Sequence, residues 1–82
     1  MNNACYILKE YLNFHVENTN KYGELTVVLM QVGGFYEIYA VVNEDVCEGP
    51  DIYKIADILG IQVARRNKNI SEISHQNFLM AG

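Results

Sequence analysis

The chain has 82 residues, half of them hydrophobic, and a formal net charge of −4. That length supports one small domain, burying roughly 60% of the surface its unfolded form exposes, and the hydrophobic share excludes a disordered chain. Net acidity by itself argues against nucleic acid, whose phosphates need Lys and Arg.

Residues 4–17 carry Ile7, Leu8, Tyr11, Leu12 and Val16 at helical spacing, with Lys9, Glu10, Asn13 and Glu17 opposite. This pattern predicts an amphipathic helix with one buried face, ended by the turn formers from Asn18 to Gly23. Leu25–Val32 is aliphatic and β-branched on both faces and reads as a central strand. Gly33 and Gly34 break it, and Phe35–Val42 resumes as a second strand, the antiparallel hairpin partner of the first. Residues 43–50 form an acidic loop ending at Gly49-Pro50. Proline suits the first helical position, and Asp51 favours the positive end of the helix dipole. Ile52, Ile55, Ala56 and Leu59 then recur at helical spacing, with Gly60 as the C-terminal cap. Ile61–Ala64 reads as a third short strand, Arg65–Ser74 as a polar loop with three bases, and Phe78-Leu79-Met80 as a fourth strand. This order predicts an α+β (mixed α/β) fold, a small mixed β-sheet with helices packed on it. Leu79-Met80-Ala81 is apolar up to the last residue, which suggests a fragment of something longer.

Charge is unevenly spread. Glu44, Asp45, Glu48 and Asp51 cluster, and so do Arg65, Arg66 and Lys68. A bipolar surface of this kind can offer one basic edge to DNA. Cys5 and Cys47 form no CxxC or zinc spacing and read as buried free thiols in a reducing, intracellular compartment. No signal peptide is visible, and no apolar run approaches the roughly 20 residues of a membrane span. Asn69-Ile70-Ser71 matches a glycosylation sequon by chance.

Catalytic and metal-ligating patterns are not found. There is no GxxxxGK[ST] loop, no GxGxxG and no HExxH. His15 and His75 stand alone, and His15 reads as structural or solvated. Ser71 and Ser74 lack the strand–turn–helix context of a nucleophile elbow. A small hydrolase built on Glu37, Glu44 and Asp45 would need a pocket joining the three.

The most informative segment is Gly33-Gly34-Phe35-Tyr36-Glu37. In a strand, residues two apart share a face, so Phe35 and Glu37 face one partner together while Tyr36 turns the other way. Tyr36 and Ile38 read as core. Phe35 on its own reads as a core residue of the hairpin, and Glu37 as a solvated strand residue. Further blocks change that reading. Glu10-Tyr11-Leu12 lies on the first helix, and Leu29-Met30-Gln31-Val32-Gly33-Gly34-Phe35-Tyr36-Glu37-Ile38-Tyr39 is an apolar strand, a Gly-x-Phe-Tyr-Glu core and an apolar pair. Ala56-Asp57-Ile58-Leu59-Gly60-Ile61, Arg65-Arg66-Asn67 and Leu79-Met80-Ala81-Gly82 follow in order. From Tyr6 to Gly82 the chain resembles the N-terminal mismatch-recognition domain of the MutS family of DNA mismatch repair proteins. Gly34 departs from the acidic residue common in that family, and the loop from Val42 to Asp51 is longer than in typical bacterial members. Both departures point to a divergent branch, organellar or viral.

The resemblance implies several things about the site and the partners. Phe35 and Glu37 would contact a mismatched or unpaired base in double-stranded DNA, supported by the Gly33-Gly34 turn, while Arg65, Arg66 and Lys68 would hold the DNA backbone. The parent protein would be a homodimer or pair with a MutS-like subunit. It would bind ATP and Mg in a domain outside these residues, with no membrane association. Nuclear, organellar, viral-factory and bacterial cytoplasmic locations all stay open. The alternative is a small α+β protein-interaction domain with Phe35 packed inside.

Overall fold

The computed structural model describes residues 3–82. A helix, α1, runs from Asn3 to Tyr22 and is followed by an extended segment and a short strand, β1 (Met30–Val32). A two-residue turn leads into the longest strand, β2 (Phe35–Val42), and then into a two-residue strand, β3 (Cys47–Glu48). The second helix, α2 (Ile52–Leu59), precedes β4 (Ala64–Arg65) and β5 (Leu79–Ala81). The strands lie in the order β1-β2-β5-β4, with β3 paired to the end of β2. The expected small α+β fold is present. Every pairing among the described residues is antiparallel, where the sequence suggested a mixed sheet.

β2 organises the core. Tyr39 and Val41 point to one face, where the Tyr39 ring packs edge-on between Tyr11 of α1 and Phe78, with centroids 5.1 and 5.3 Å away. Leu8 lies one helical turn from Tyr11 on the same stripe and is equally buried. The opposite face, with Ile38 and Ala40 of β2 beside Ala81 and Leu79 of β5, is buried as well. α2 contacts both of these strands and supplies buried Ile52 and Ala56. Its N-cap is Asp51, whose carboxylate accepts the Lys54 N–H, and Gly60 closes it in the left-handed conformation. Pro50 therefore stands before the cap rather than at the first helical position.

Four other elements differ from the sequence reading. α1 continues through Asn18 and Thr19 because their side chains donate back to the Phe14 and His15 carbonyls, at 2.8 Å each, satisfying polar groups without breaking the helix. Leu25–Val32 is not a central strand: only Met30–Val32 pairs, it sits at the sheet edge, and Leu25 is 94% exposed. The acidic loop holds a strand, since the Asn43 side chain accepts the N–H groups of Asp45 and Val46 and folds Cys47–Glu48 back onto β2. The third strand starts at Ala64, not Ile61. The two cysteines are free, but Cys47 is exposed and Cys5 half-buried, so neither is the buried thiol expected. The half-buried His15 keeps a buried Nδ1 with no hydrogen-bond partner. No helix among the described residues is long and apolar enough to cross a membrane.

Candidate functional site

The β1–β2 hairpin places the residues singled out in the sequence. Val32 pairs with Phe35 across Gly33-Gly34, so the loop has two residues. Gly33 has φ +60 and Gly34 does not share the positive sign, which is the pattern of a type II′ turn. Such a turn matches the right-handed twist of the flanking strands, and its first central position favours glycine. The two glycines therefore differ. Gly33 is required by the backbone, whereas Gly34 is not.

The hairpin tip projects past the core. β5 pairs with β2 only from Ile38 onward, so Phe35, Tyr36 and Glu37 have β1 as their sole strand neighbour among the described residues. Phe35 is 76% exposed and is not a core residue of the hairpin. Tyr36, expected in the core, is 56% exposed for the same reason, while Ile38, two residues further, is buried as expected. Phe35 and Glu37 share the face of Tyr39, about 7 Å apart along the strand.

Glu37 is half-buried and held on two sides. The Tyr39 hydroxyl donates to its Oε1 at 3.2 Å. Gly82 lies against its stem, where a Cβ would come within 3.0 Å of Glu37 Cγ and 2.8 Å of the Tyr36 carbonyl oxygen. Burial first, then the Glu37 charge and the hydrogen bond to Glu37, together raise the Tyr39 phenol pKa to about 12. Tyr39 thus stays a neutral donor at physiological pH. Tyr11, beneath it, is likewise raised to about 12 by burial, and its hydroxyl donates to the Val28 carbonyl at 2.8 Å.

The basic cluster lies elsewhere. Through β5, Arg65 is level with Ala40, and Arg66 continues away from the hairpin tip. Five residues along the strand and two strands across separate Arg65 from Phe35 by about 20 Å. The Arg65 guanidinium donates to the Lys68 carbonyl at 2.8 Å, which fixes the turn that carries Lys68. Arg65, Arg66 and Lys68 line one open concavity with Asn67, Asn69 and Met80. The structure therefore brings Phe35, Glu37, Gly33 and Gly34 together and sets the three bases apart from them. Glu44 and Asp45 follow the far end of β2, five residues or more along the strand from Glu37, so among the described residues the three are not brought together and the hydrolase arrangement is not formed. Among the described residues no group of His, Cys, Asp and Glu is placed to hold a metal ion.

Two contacts went unread in the sequence, one at the tip and one at the far end of β2. Tyr39 touches Glu37, and the alternation that pairs Phe35 with Glu37 also puts Tyr39 on that face, so a signal was present. The contact between His75 Nε2 and Glu48 Oε2, 3.2 Å long, joins residues 27 apart and had none. Chemically, the tip offers an exposed apolar ring and a restrained carboxylate on one face. That pair can intercalate or pack against a flat apolar surface while accepting a hydrogen bond beside it. Comparison with protein families, with curated proteins and with solved structures gives no match to this chain.

Proposed function

We propose that this chain is a mismatch-sensing DNA-binding module of the MutS kind, with Phe35 as a wedge and Glu37 as the base contact. The observation that carries the reading is the Phe35 ring, 76% exposed at the tip of a hairpin that projects beyond the core, with Glu37 on its face. Inserting an apolar ring between base steps from the minor groove costs a few kcal/mol of unstacking. Base–aromatic stacking returns about 1–3 kcal/mol. At a matched step these terms roughly cancel, whereas a mismatched or unpaired base is already poorly stacked and tips the balance toward binding. Phe35 would therefore sense deformability rather than sequence.

Glu37 acts against the phosphates and for the base. Its charge disfavours DNA in general, and a base edge that satisfies the carboxylate offsets this only where a base is accessible. Arg65, Arg66 and Lys68, about 20 Å away, would reach phosphates about six base pairs along the same duplex. They position the duplex without reading it. By the same resemblance, the dimeric clamp and the ATP and Mg site of the parent would belong to domains outside these residues. The test is Phe35→Ala, which should remove the preference for mismatched over matched duplex while changing matched affinity less.

A further inference from the structure

The Tyr39 hydroxyl has no role in the wedge itself, yet the fold directs it at the carboxylate beside the wedge. Its ring is 4% exposed and fixed edge-on by Tyr11 and Phe78, so the hydroxyl has little freedom to go elsewhere. It donates to Glu37 Oε1, and on the other side Gly82 confines the Glu37 stem. A glutamate paired on one side only, with Met30 of β1, would otherwise sample several rotamers. We propose that Tyr39 is a positioning residue for Glu37: it holds the carboxylate on the Phe35 face as a hydrogen-bond acceptor, so that the base contact is set before DNA arrives. This inference rests on the wedge reading and adds a determinant of its specificity.

Three physical points support it. The pair is spaced i, i+2 on one strand, so the strand's own geometry keeps the two side chains together. A phenol donates to a carboxylate but not to a methylene, so the bond fixes which part of Glu37 points where. Ordering one flexible side chain in advance removes that cost from binding. The separation of 3.2 Å is long for an O–H···O bond, which sets the expected effect at the low end of the range for such contacts.

Tyr39→Phe removes the hydroxyl and keeps the ring. In the 82-residue chain, binding would be measured on a short duplex with one unpaired thymidine and on its fully paired counterpart. Tyr39→Phe should lower the preference for the unpaired duplex about threefold, and should lower it no further in a Glu37→Ala background. A packing role would act equally in both backgrounds. A second readout needs no DNA: in Glu37→Gln the Tyr39 phenol, followed by NMR of labelled tyrosine, should begin to ionise at lower pH than in the unmodified chain, because the neighbouring charge is gone. If Phe35→Ala and Glu37→Ala each reduce discrimination but Tyr39→Phe leaves it intact, or lowers the residual preference by the same factor without Glu37, the positioning role is overturned and the wedge stands. If none of the three variants changes discrimination, the wedge reading falls and the positioning role with it.

Discussion

Tyr39 and Tyr11 show how much of this small core is fixed by single side chains. Both phenols sit in the aromatic stack and both are raised to about 12, chiefly by burial and, for Tyr39, also by Glu37. The sign of the resulting pH dependence follows directly. In the unfolded chain each phenol ionises near its ordinary value of 10, while in the folded chain it stays neutral until about pH 12. Between those values the unfolded state binds fewer protons, so stability falls as pH rises. Thermal unfolding followed from pH 9 to 11 should show this decline, and Tyr39→Phe should reduce it. A flat profile would mean that the phenols are not buried as described. Phe35 is the opposite case. Its ring is mostly in solvent, so Phe35→Ala should alter stability by no more than about 0.5 kcal/mol, which makes it a clean probe of function.

At the scale of elements, the hairpin is where sequence and structure agree best. Two glycines between apolar runs fix a two-residue turn, and β2 spans Phe35–Val42, the bounds expected of the second strand. The turn also separates the roles of its two residues. Gly33→Ala puts a side chain at φ +60 and should cost about 1–2 kcal/mol. Gly34→Ala meets no atom within 4 Å and should be nearly neutral. Chemical denaturation of the two variants checks the difference, and equal losses would contradict the II′ assignment. Elsewhere, elements were less legible for identifiable reasons. Nothing local distinguishes Asn18-Thr19 ending a helix from Asn18-Thr19 bonding back into one. The apolar run Leu25–Leu29 has strand composition but no neighbour to pair with, because β1 is an edge and the chain turns at Thr26, whose N–H donates to the Gly23 carbonyl. Cys47–Glu48 pairs because Asn43 shapes the turn before it, a property of one side chain rather than of any periodicity.

The whole molecule is a small α+β fold with one end that projects beyond the core. The core of Leu8, Tyr11, Tyr39, Val41, Phe78 and their neighbours occupies the centre, and the hairpin tip stands clear of it. Alternation alone was enough to put Phe35 and Glu37 on one face. That the ring is exposed could not be read from it, because exposure depends on which strands lie beside Phe35, and among the described residues only β1 does. The distance of the basic cluster from the tip was likewise invisible, since it follows from the strand order β1-β2-β5-β4. This arrangement, together with a net charge of −4, bears on affinity. If the phosphate contacts are those of Arg65, Arg66 and Lys68 as proposed, the 82-residue chain should bind matched duplex no tighter than about 1 μM, and log K should fall with log salt at a slope no steeper than about −3. Tight, salt-insensitive binding in a salt titration would show that the contact surface lies elsewhere.

As proposed, the Phe35 ring would report how readily a base step opens. This is tested most directly by the ratio of dissociation constants for matched duplex and for the same duplex carrying one mispaired or unpaired base, with Phe35 present and with Phe35→Ala. With Phe35 as the wedge, the ratio should be well above one and collapse to about one in the variant, the loss falling mainly on the defective duplex. A ratio that is the same with and without the ring would contradict it.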